Sequence, residues 1–72
     1  MQYNIALLTQ IGTALYGHAW QTQVANDLSV SDRTVRRWVA GTSAIPSDVW
    51  GKLRVVMDKH AEILNVLSAK IH

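Results

Sequence analysis

Three arginines, Arg33, Arg36 and Arg37, are clustered in the segment LSVSDRTVRRW. A planar guanidinium can donate two parallel hydrogen bonds to O6 and N7 of guanine, or it can clamp phosphate oxygens. Clustered arginines are also common on solvated helix faces, and a net charge of +2 is weak evidence for an anionic partner. The distribution of charge is more informative, because no Lys or Arg precedes Arg33. The cluster is therefore a candidate anion-binding site whose meaning depends on the helix that carries it.

The remaining polar residues do not form a catalytic or metal-binding pattern. The chain contains no cysteine, and His18, His60 and His72 lack the i,i+4 spacing of a paired metal site. No serine has an adjacent general base by spacing, the acidic residues are scattered, and there is no glycine-rich phosphate loop. We therefore expect no enzymatic activity, no metal and no cofactor.

The chain of 72 residues predicts one small domain, residues 1–72. At this size a single hydrophobic core is only marginally stable, so self-association is expected to contribute. Apolar residues make up 49% of the chain, which argues against disorder, and the longest apolar runs are far shorter than the roughly 20 residues that span a bilayer. The amino terminus also lacks the pattern of a secretory signal. These features predict a cytoplasmic protein with no membrane partner.

Capping residues and apolar spacing predict short helices before residue 41. Asn4 can cap a helix that ends at Gly17, and Gly12 within it is expected to allow the close approach of a neighbouring helix. The segment QTQVANDL predicts a second helix of about two turns. Ser31 can cap a third helix, which should end near Gly41.

The segment from about residue 47 to residue 70 predicts a long amphipathic helix. An unbroken helix of this length would span about 36 Å, which exceeds the diameter of so small a domain. Either the segment bends near residues 58–61 or it projects and pairs with another chain. The absence of Gly or Pro after Gly51 favours a long helix that packs against the first helix and dimerises. A half-buried His60 could also set the pairing register or confer pH sensitivity. The predicted dimerisation residues are Trp50, Met57, His60, Leu64, Leu67 and Ile71.

The second and third helices carry apolar residues at the positions where two crossed helices meet. These are Val24, Ala25 and Leu28 in the second helix, Val30 in the turn, and Val35, Trp38 and Val39 in the third helix. At 100° per residue, the three arginines lie on the opposite face of the third helix. The pattern predicts a helix-turn-helix over about residues 21–40, within a compact all-α fold of four to five helices.

The segment WQTQVANDLSVSDRTVRRWVAG resembles the helix-turn-helix of Cro and phage-repressor-type DNA-binding proteins, which include small regulators of phages, mobile elements and toxin-antitoxin systems. The resemblance extends from about Ala14 to Pro46 and depends on a set of residues rather than on any one of them. The set is Gln21, Gln23, Val24, Ala25, Leu28, Val30, Ser31, Thr34, Val35, Trp38 and Gly41. The family usually has glycine where this chain has Ser29, and a positive φ at a serine costs about 1 kcal/mol or more.

The resemblance implies roles for individual side chains. Asp32, Arg33, Arg36 and Arg37 match positions that contact base edges. A simpler role for Asp32 is to complement the helix dipole and to pair with Arg36. The residues that the resemblance places near phosphate are Gln21, Gln23, Ser31, Thr34, Thr42 and Ser43.

Together these patterns predict a homodimer that binds double-stranded DNA sequence-specifically on an inverted repeat, with half-sites about 34 Å apart. The resemblance implies a transcriptional regulator, most simply a repressor. One alternative is an adaptor or antitoxin-like module whose last helix binds another protein. Another is a DNA-binding piece of a transposase or recombinase system, which is disfavoured because the sequence starts and stops without a hanging linker. The sequence identifies neither the operator nor a regulatory partner protein.

Overall fold

The computed structural model describes residues 4–71, and all the regular secondary structure in them is helical. Helix α1 spans Ile5–Tyr16, α2 spans Trp20–Leu28, α3 spans Asp32–Ala40 and α4 spans Asp48–Ser68, with a 3₁₀ turn at Gly17–Ala19 between α1 and α2. The predicted all-α class is confirmed for this part of the chain. The carboxy-terminal segment is one helix of 21 residues. No helix in residues 4–71 is both long enough and apolar enough to cross a membrane.

Side-chain caps fix the first turns of α1 and α3, as the sequence predicted. Asn4 Oδ1 accepts a hydrogen bond from the Leu7 backbone N–H at 3.1 Å. Ser31 Oγ accepts one from the Thr34 N–H at 3.1 Å. Each bond satisfies a backbone donor that has no partner inside its helix. Gly41 ends α3 with a φ of 78°, so the helix that carries the arginines is bounded by local signals on both sides.

Helix α2 forms the centre of the hydrophobic core. It packs against α1, α3 and α4. Its buried residues are Trp20, Val24, Ala25 and Leu28. The residues that surround them are Leu8 from α1, Val35 and Trp38 from α3, and Val49 and Leu53 from α4. Helices α3 and α4 are therefore positioned by α2 rather than by each other.

The turn between α2 and α3 consists of Ser29, Val30 and Ser31. Ser29 has a φ of 57° and a ψ of 39°, in the left-handed region. The N–H groups of Ser29 and Val30 donate to the carbonyls of Asn26 and Ala25 at 3.1 and 3.0 Å. This pair of bonds is the Schellman arrangement, which usually has glycine at the left-handed position. The turn thus has the positive φ for which Ser29 is poorly suited.

Two packing predictions need correction. Helix α4 packs mainly against α2, because its buried residues Val49 and Leu53 lie in its first two turns, beside α2. It meets α1 where His60 lies 3.3 Å from the Tyr16 hydroxyl. Val39 was expected in the core but is 37% exposed. It lies in the last turn of α3, and helical periodicity gives the face on which a residue lies without ensuring that a neighbouring helix covers that face.

The second half of α4 extends beyond the core. Residues 61–71 are all exposed, and the chain measures 47 × 24 × 20 Å along its principal axes. A helix of this length spans about 31 Å. The long dimension of the molecule therefore arises from α4, as expected for a projecting helix.

Gly12 provides the close approach that the sequence predicted. A Cβ atom added at this residue would lie 2.3 Å from Cε3 of Trp20. The absence of a side chain lets the indole of Trp20, the first residue of α2, lie directly against the backbone of α1. Trp20 itself is only 4% exposed.

We expect Gly12→Ala to lower the free energy of unfolding by about 1–2 kcal/mol. The overpacking cost of about 1–3 kcal/mol is only partly offset by the higher helix propensity of alanine. Gly51→Ala in α4 is the matched control, because nothing lies within 4 Å of its added Cβ. That variant should gain up to about 1 kcal/mol. Urea denaturation of both variants measures the difference, and a Gly12→Ala protein as stable as wild type would contradict the packing described.

Ser29→Gly is expected to raise the free energy of unfolding by about 0.5–1 kcal/mol, because glycine adopts the left-handed conformation without a steric cost. Ser29 is exposed, so the change removes no buried contact. Ser29→Val, which places a β-branched residue at the same φ, should lower the stability below that of wild type. Thermal and urea denaturation test this order; Ser29→Val as stable as Ser29→Gly would show that the turn does not require this φ.

Candidate nucleic-acid interface

Helix α3 has one buried face and one basic face. Val35 and Trp38 are 0% and 4% exposed and pack into the core. Arg33, Arg36 and Arg37 are exposed on the opposite side of the helix. In residues 4–71 no ion pair engages these three guanidinium groups; the ion pair that forms there joins Lys52 to Asp48 at 3.3 Å. The sequence predicted this division of faces.

The amino end of α3 is fixed by two hydroxyl groups. Besides accepting from the Thr34 N–H, Ser31 Oγ lies 2.9 Å from Thr34 Oγ1. Thr34 is half-buried, whereas Ser31 is exposed. These two residues, predicted to lie near phosphate, therefore also determine where α3 begins. Arg33 follows directly, in the first turn of α3.

Asp32 is bound to α2 and not to Arg36. Thr22 Oγ1, in the first turn of α2, donates to Asp32 Oδ2 at 3.1 Å. The predicted Asp32–Arg36 pair is thus wrong, because the half-buried carboxylate is turned towards α2. Its place in the first turn of α3 is the one expected for complementing the helix dipole. Thr22 was not identified from the sequence, since a contact between two helices ten residues apart has no local signature.

The Thr22–Asp32 hydrogen bond joins the amino ends of α2 and α3. Gln21 and Gln23 flank Thr22 along the chain, and they are half-buried and exposed respectively. The bond therefore holds this part of α2 beside the first turn of α3. The bond brings two groups of predicted phosphate ligands to the same end of the α2–α3 pair. They are Gln21 and Gln23 in α2, and Ser31 and Thr34 at the start of α3.

The remaining predicted phosphate ligands lie at the other end of α3. Both the N–H and the hydroxyl of Thr42 donate to the Arg37 carbonyl, at 3.0 and 3.2 Å. Thr42 and Ser43 are exposed. Because α3 has nine residues, these side chains stand about 13 Å from Ser31 along the helix axis. The candidate site is thus a band that follows α3 with polar groups at both ends.

Three of the five acidic residues contact groups other than the three arginines. Asp32 binds Thr22, Asp48 pairs with Lys52, and Asp27 accepts a hydrogen bond from Tyr16. The positive charge of the three arginines is consequently not neutralised by ion pairing within the described residues. A cationic helix face of this kind attracts anions.

A second polar cluster, which the sequence did not reveal, joins α1, α2 and α4. The Tyr16 hydroxyl donates a hydrogen bond to Asp27 Oδ2 and lies 3.3 Å from His60 Nε2. The Tyr16 and His60 rings are nearly perpendicular, with centroids 5.5 Å apart. Burial raises the pKa of Tyr16 to about 12, and the hydrogen bond and the charge of Asp27 act in the same direction. The cluster fixes the middle of α4 to the rest of the chain.

The predicted dimerisation residues fall into two groups, along α4 and just beyond its end. Trp50 is half-buried and packs against the chain's own core, and Met57 and His60 are also half-buried. Leu64, Leu67 and Ile71 are 63%, 50% and 81% exposed. The apolar stripe therefore remains open for another chain only after His60.

Residues 4–71 contain no group of three or more His, Cys, Asp or Glu side chains that could hold a metal ion. The chain also matches no protein-family model, no curated protein and no solved structure significantly. The resemblance to Cro and phage-repressor-type proteins therefore rests on the sequence pattern between Ala14 and Pro46.

Proposed function

We propose that this chain binds double-stranded DNA sequence-specifically through α3, as a homodimer, and regulates transcription, most simply as a repressor. The observation that carries the proposal is the exposed basic face of α3. Arg33, Arg36 and Arg37 project together, and their side chains have no acidic partner in residues 4–71. A helix exposed along one face fits the major groove, which is about 12 Å wide.

In this proposal, α2, the turn and α3 act as a helix-turn-helix. Three features support the assignment. The connection between the helices is only three residues long, Val30 in the turn packs against the core, and Ala25 is fully buried in α2. Each feature lets two short helices cross at close range while the second remains exposed on its outer face.

The proposed mechanism separates positioning from reading. The phosphate contacts come from polar groups at the two ends of the band, which fix the position of α3 on the duplex. These groups are Gln21, Gln23, Ser31, Thr34, Thr42 and Ser43. Arg33, Arg36 and Arg37 then read base edges, with guanine as the preferred target. Asp32 is primarily a positioning residue through Thr22, and its carboxylate can also accept from a cytosine amine.

An interaction module that does not bind DNA is the second candidate. It is favoured by the exposed apolar residues Leu64, Leu67 and Ile71, because exposed apolar patches often mark protein–protein contacts. Selection from random duplexes distinguishes the two functions. An enriched sequence with two-fold symmetry supports the DNA-binding function, whereas no enrichment favours the adaptor.

Arg33→Ala and Arg36→Ala are each expected to weaken binding to the selected duplex by about 1–3 kcal/mol, or about 5- to 150-fold, and to relax selectivity at particular base pairs. Arg54→Ala is the matched control, because it removes the same charge from an exposed residue of α4. Fluorescence anisotropy titrations at fixed salt measure the three affinities. Equal losses for Arg36→Ala and Arg54→Ala would show that the effect is one of net charge and that α3 does not read bases.

Leu64→Glu is expected to convert the dimer to a monomer and to weaken binding to a two-half-site duplex at least tenfold, because it buries a charge in the proposed dimer interface. The control is Val66→Glu, at a residue that is 58% exposed against 63% for Leu64 but lies on another face of α4. This control should remain dimeric. Analytical ultracentrifugation and duplex titrations compare the two variants; the same mass and affinity for both would contradict dimerisation through this stripe.

A further inference from the structure

The first turn of α3 carries a negative charge that is held in place without being neutralised. Asp32 lies in this turn, and Thr22 Oγ1 donates to its Oδ2 at 3.1 Å. No ion pair within residues 4–71 engages the carboxylate, although Arg36 lies one turn further along the same helix. A salt bridge would cancel the charge of Asp32, whereas a hydroxyl group fixes the position of the carboxylate and leaves its charge intact.

The charge of Asp32 lies among groups that the proposed function places near phosphate. These groups are Gln21, Gln23, Ser31 and Thr34, at the amino ends of α2 and α3. None of them is positively charged, and no Lys or Arg precedes Arg33 in the chain. A phosphate at this end of the α2–α3 pair is therefore held by neutral hydrogen-bond donors, and it is repelled by the carboxylate of Asp32.

We propose that Asp32, held by Thr22, is a specificity-determining residue that acts by repulsion. Its charge weakens the binding of every duplex, and only a base that offers an amine to the carboxylate offsets this loss. Cytosine N4 and adenine N6 are the amines that base pairs present in the major groove. The inference rests on the proposed DNA binding through α3, and it identifies the residue that limits binding to other sequences.

The two oxygens of the carboxylate can serve different partners. Oδ2 of Asp32 accepts from Thr22, and Oδ1 accepts no hydrogen bond within residues 4–71. A carboxylate accepts on both oxygens, whereas an amide has one acceptor oxygen and a nitrogen that only donates. With asparagine in place of Asp32, one contact would remain on the oxygen and a donor would stand where the second acceptor had been. The pair of contacts therefore requires an acid at this position.

The charge of Asp32 affects two kinds of duplex unequally. On a duplex without an amine at this position, the carboxylate loses hydration and faces phosphates without a new hydrogen bond. On the selected duplex, a charge-assisted hydrogen bond from the amine offsets that cost. Because specificity is the difference between two binding free energies, Asp32 increases specificity even where it adds nothing to the affinity for the selected duplex.

A purely structural role for Asp32 predicts a different pattern. The carboxylate complements the dipole of α3 and joins this helix to α2 through Thr22. Loss of that support would destabilise the fold and weaken the binding of all duplexes by the same factor. Repulsion instead predicts that removal of the charge strengthens binding to non-selected sequences. The direction of the change on a non-selected duplex therefore separates the two roles.

The test compares Asp32→Asn with Asp58→Asn, which removes the same charge from an exposed residue of α4. Fluorescence anisotropy at fixed salt measures the affinity of each protein for the duplex selected from random sequences and for a scrambled duplex of the same composition. Asp32→Asn is expected to bind the scrambled duplex about 3- to 10-fold more tightly and the selected duplex no more tightly. Asp58→Asn should leave the ratio of the two affinities unchanged.

Variants of Thr22 test the anchor without altering the acid. Thr22→Val removes the hydroxyl at nearly the same volume and frees the carboxylate to pair with Arg36, so the affinity ratio should fall at least about threefold. Thr22→Ser keeps the hydroxyl and should retain the wild-type ratio. Urea denaturation of all four variants measures any loss of fold stability separately from the affinities.

An unchanged affinity ratio for both Asp32→Asn and Thr22→Val would overturn the inference, provided that the wild type prefers the selected duplex. Equal weakening on both duplexes, together with a lower free energy of unfolding, would also overturn it and leave Asp32 as a structural residue. In both cases the DNA-binding function stands. A wild-type chain that prefers no duplex would contradict the proposed function, and the inference would fall with it.

Discussion

The packing of α2 against its three neighbouring helices is the constraint on which the rest of the structure depends. Its first residue, Trp20, inserts its indole against the backbone of α1 at Gly12, where even a methyl group would collide. The buried side chains Val24, Ala25 and Leu28 complete the contact surface. In so small a core no other helix can substitute for α2, because α3 and α4 reach the core mainly through it. A change in the position of α2 would therefore move both helices.

This arrangement explains why α3 presents a basic face without being held by ionic contacts. Burial of Val35 and Trp38 fixes the rotation of the helix, and the Ser31 cap and Gly41 fix its ends. Asp32, the acidic residue nearest in sequence, is drawn to Thr22 on α2. The arginines are exposed because the apolar residues on the other side of α3 pack into the core. They are consequently available to an external anion at no cost in broken ion pairs.

The sequence predicted the features of the fold that depend on local chemistry. Asn4, Ser31 and Gly41 mark helix ends because capping is a property of a few adjacent residues, and the positions of Val35 and Trp38 follow from helical phase. Contacts between helices that are distant in the sequence could not be predicted from such local signals. The Thr22–Asp32 bond and the Tyr16–Asp27–His60 cluster depend on how helices are placed relative to one another. The exposure of Val39 could not be predicted for the same reason. Helical periodicity gives the face on which a residue lies, but it does not show whether another helix covers that face.

The small size of the domain bears on the proposed homodimer. A chain of 72 residues cannot bury all of its apolar surface in one core, and here the excess is gathered at the free end of α4. Since α2 holds both α3 and α4, any pairing of two α4 helices would fix the separation of two α3 helices. The distance between two reading helices would then be a property of helix packing, set far from the DNA. In the proposed function, the exposed leucines of α4 would contribute to specificity together with the arginines of α3, because an operator must match both the base contacts and their spacing.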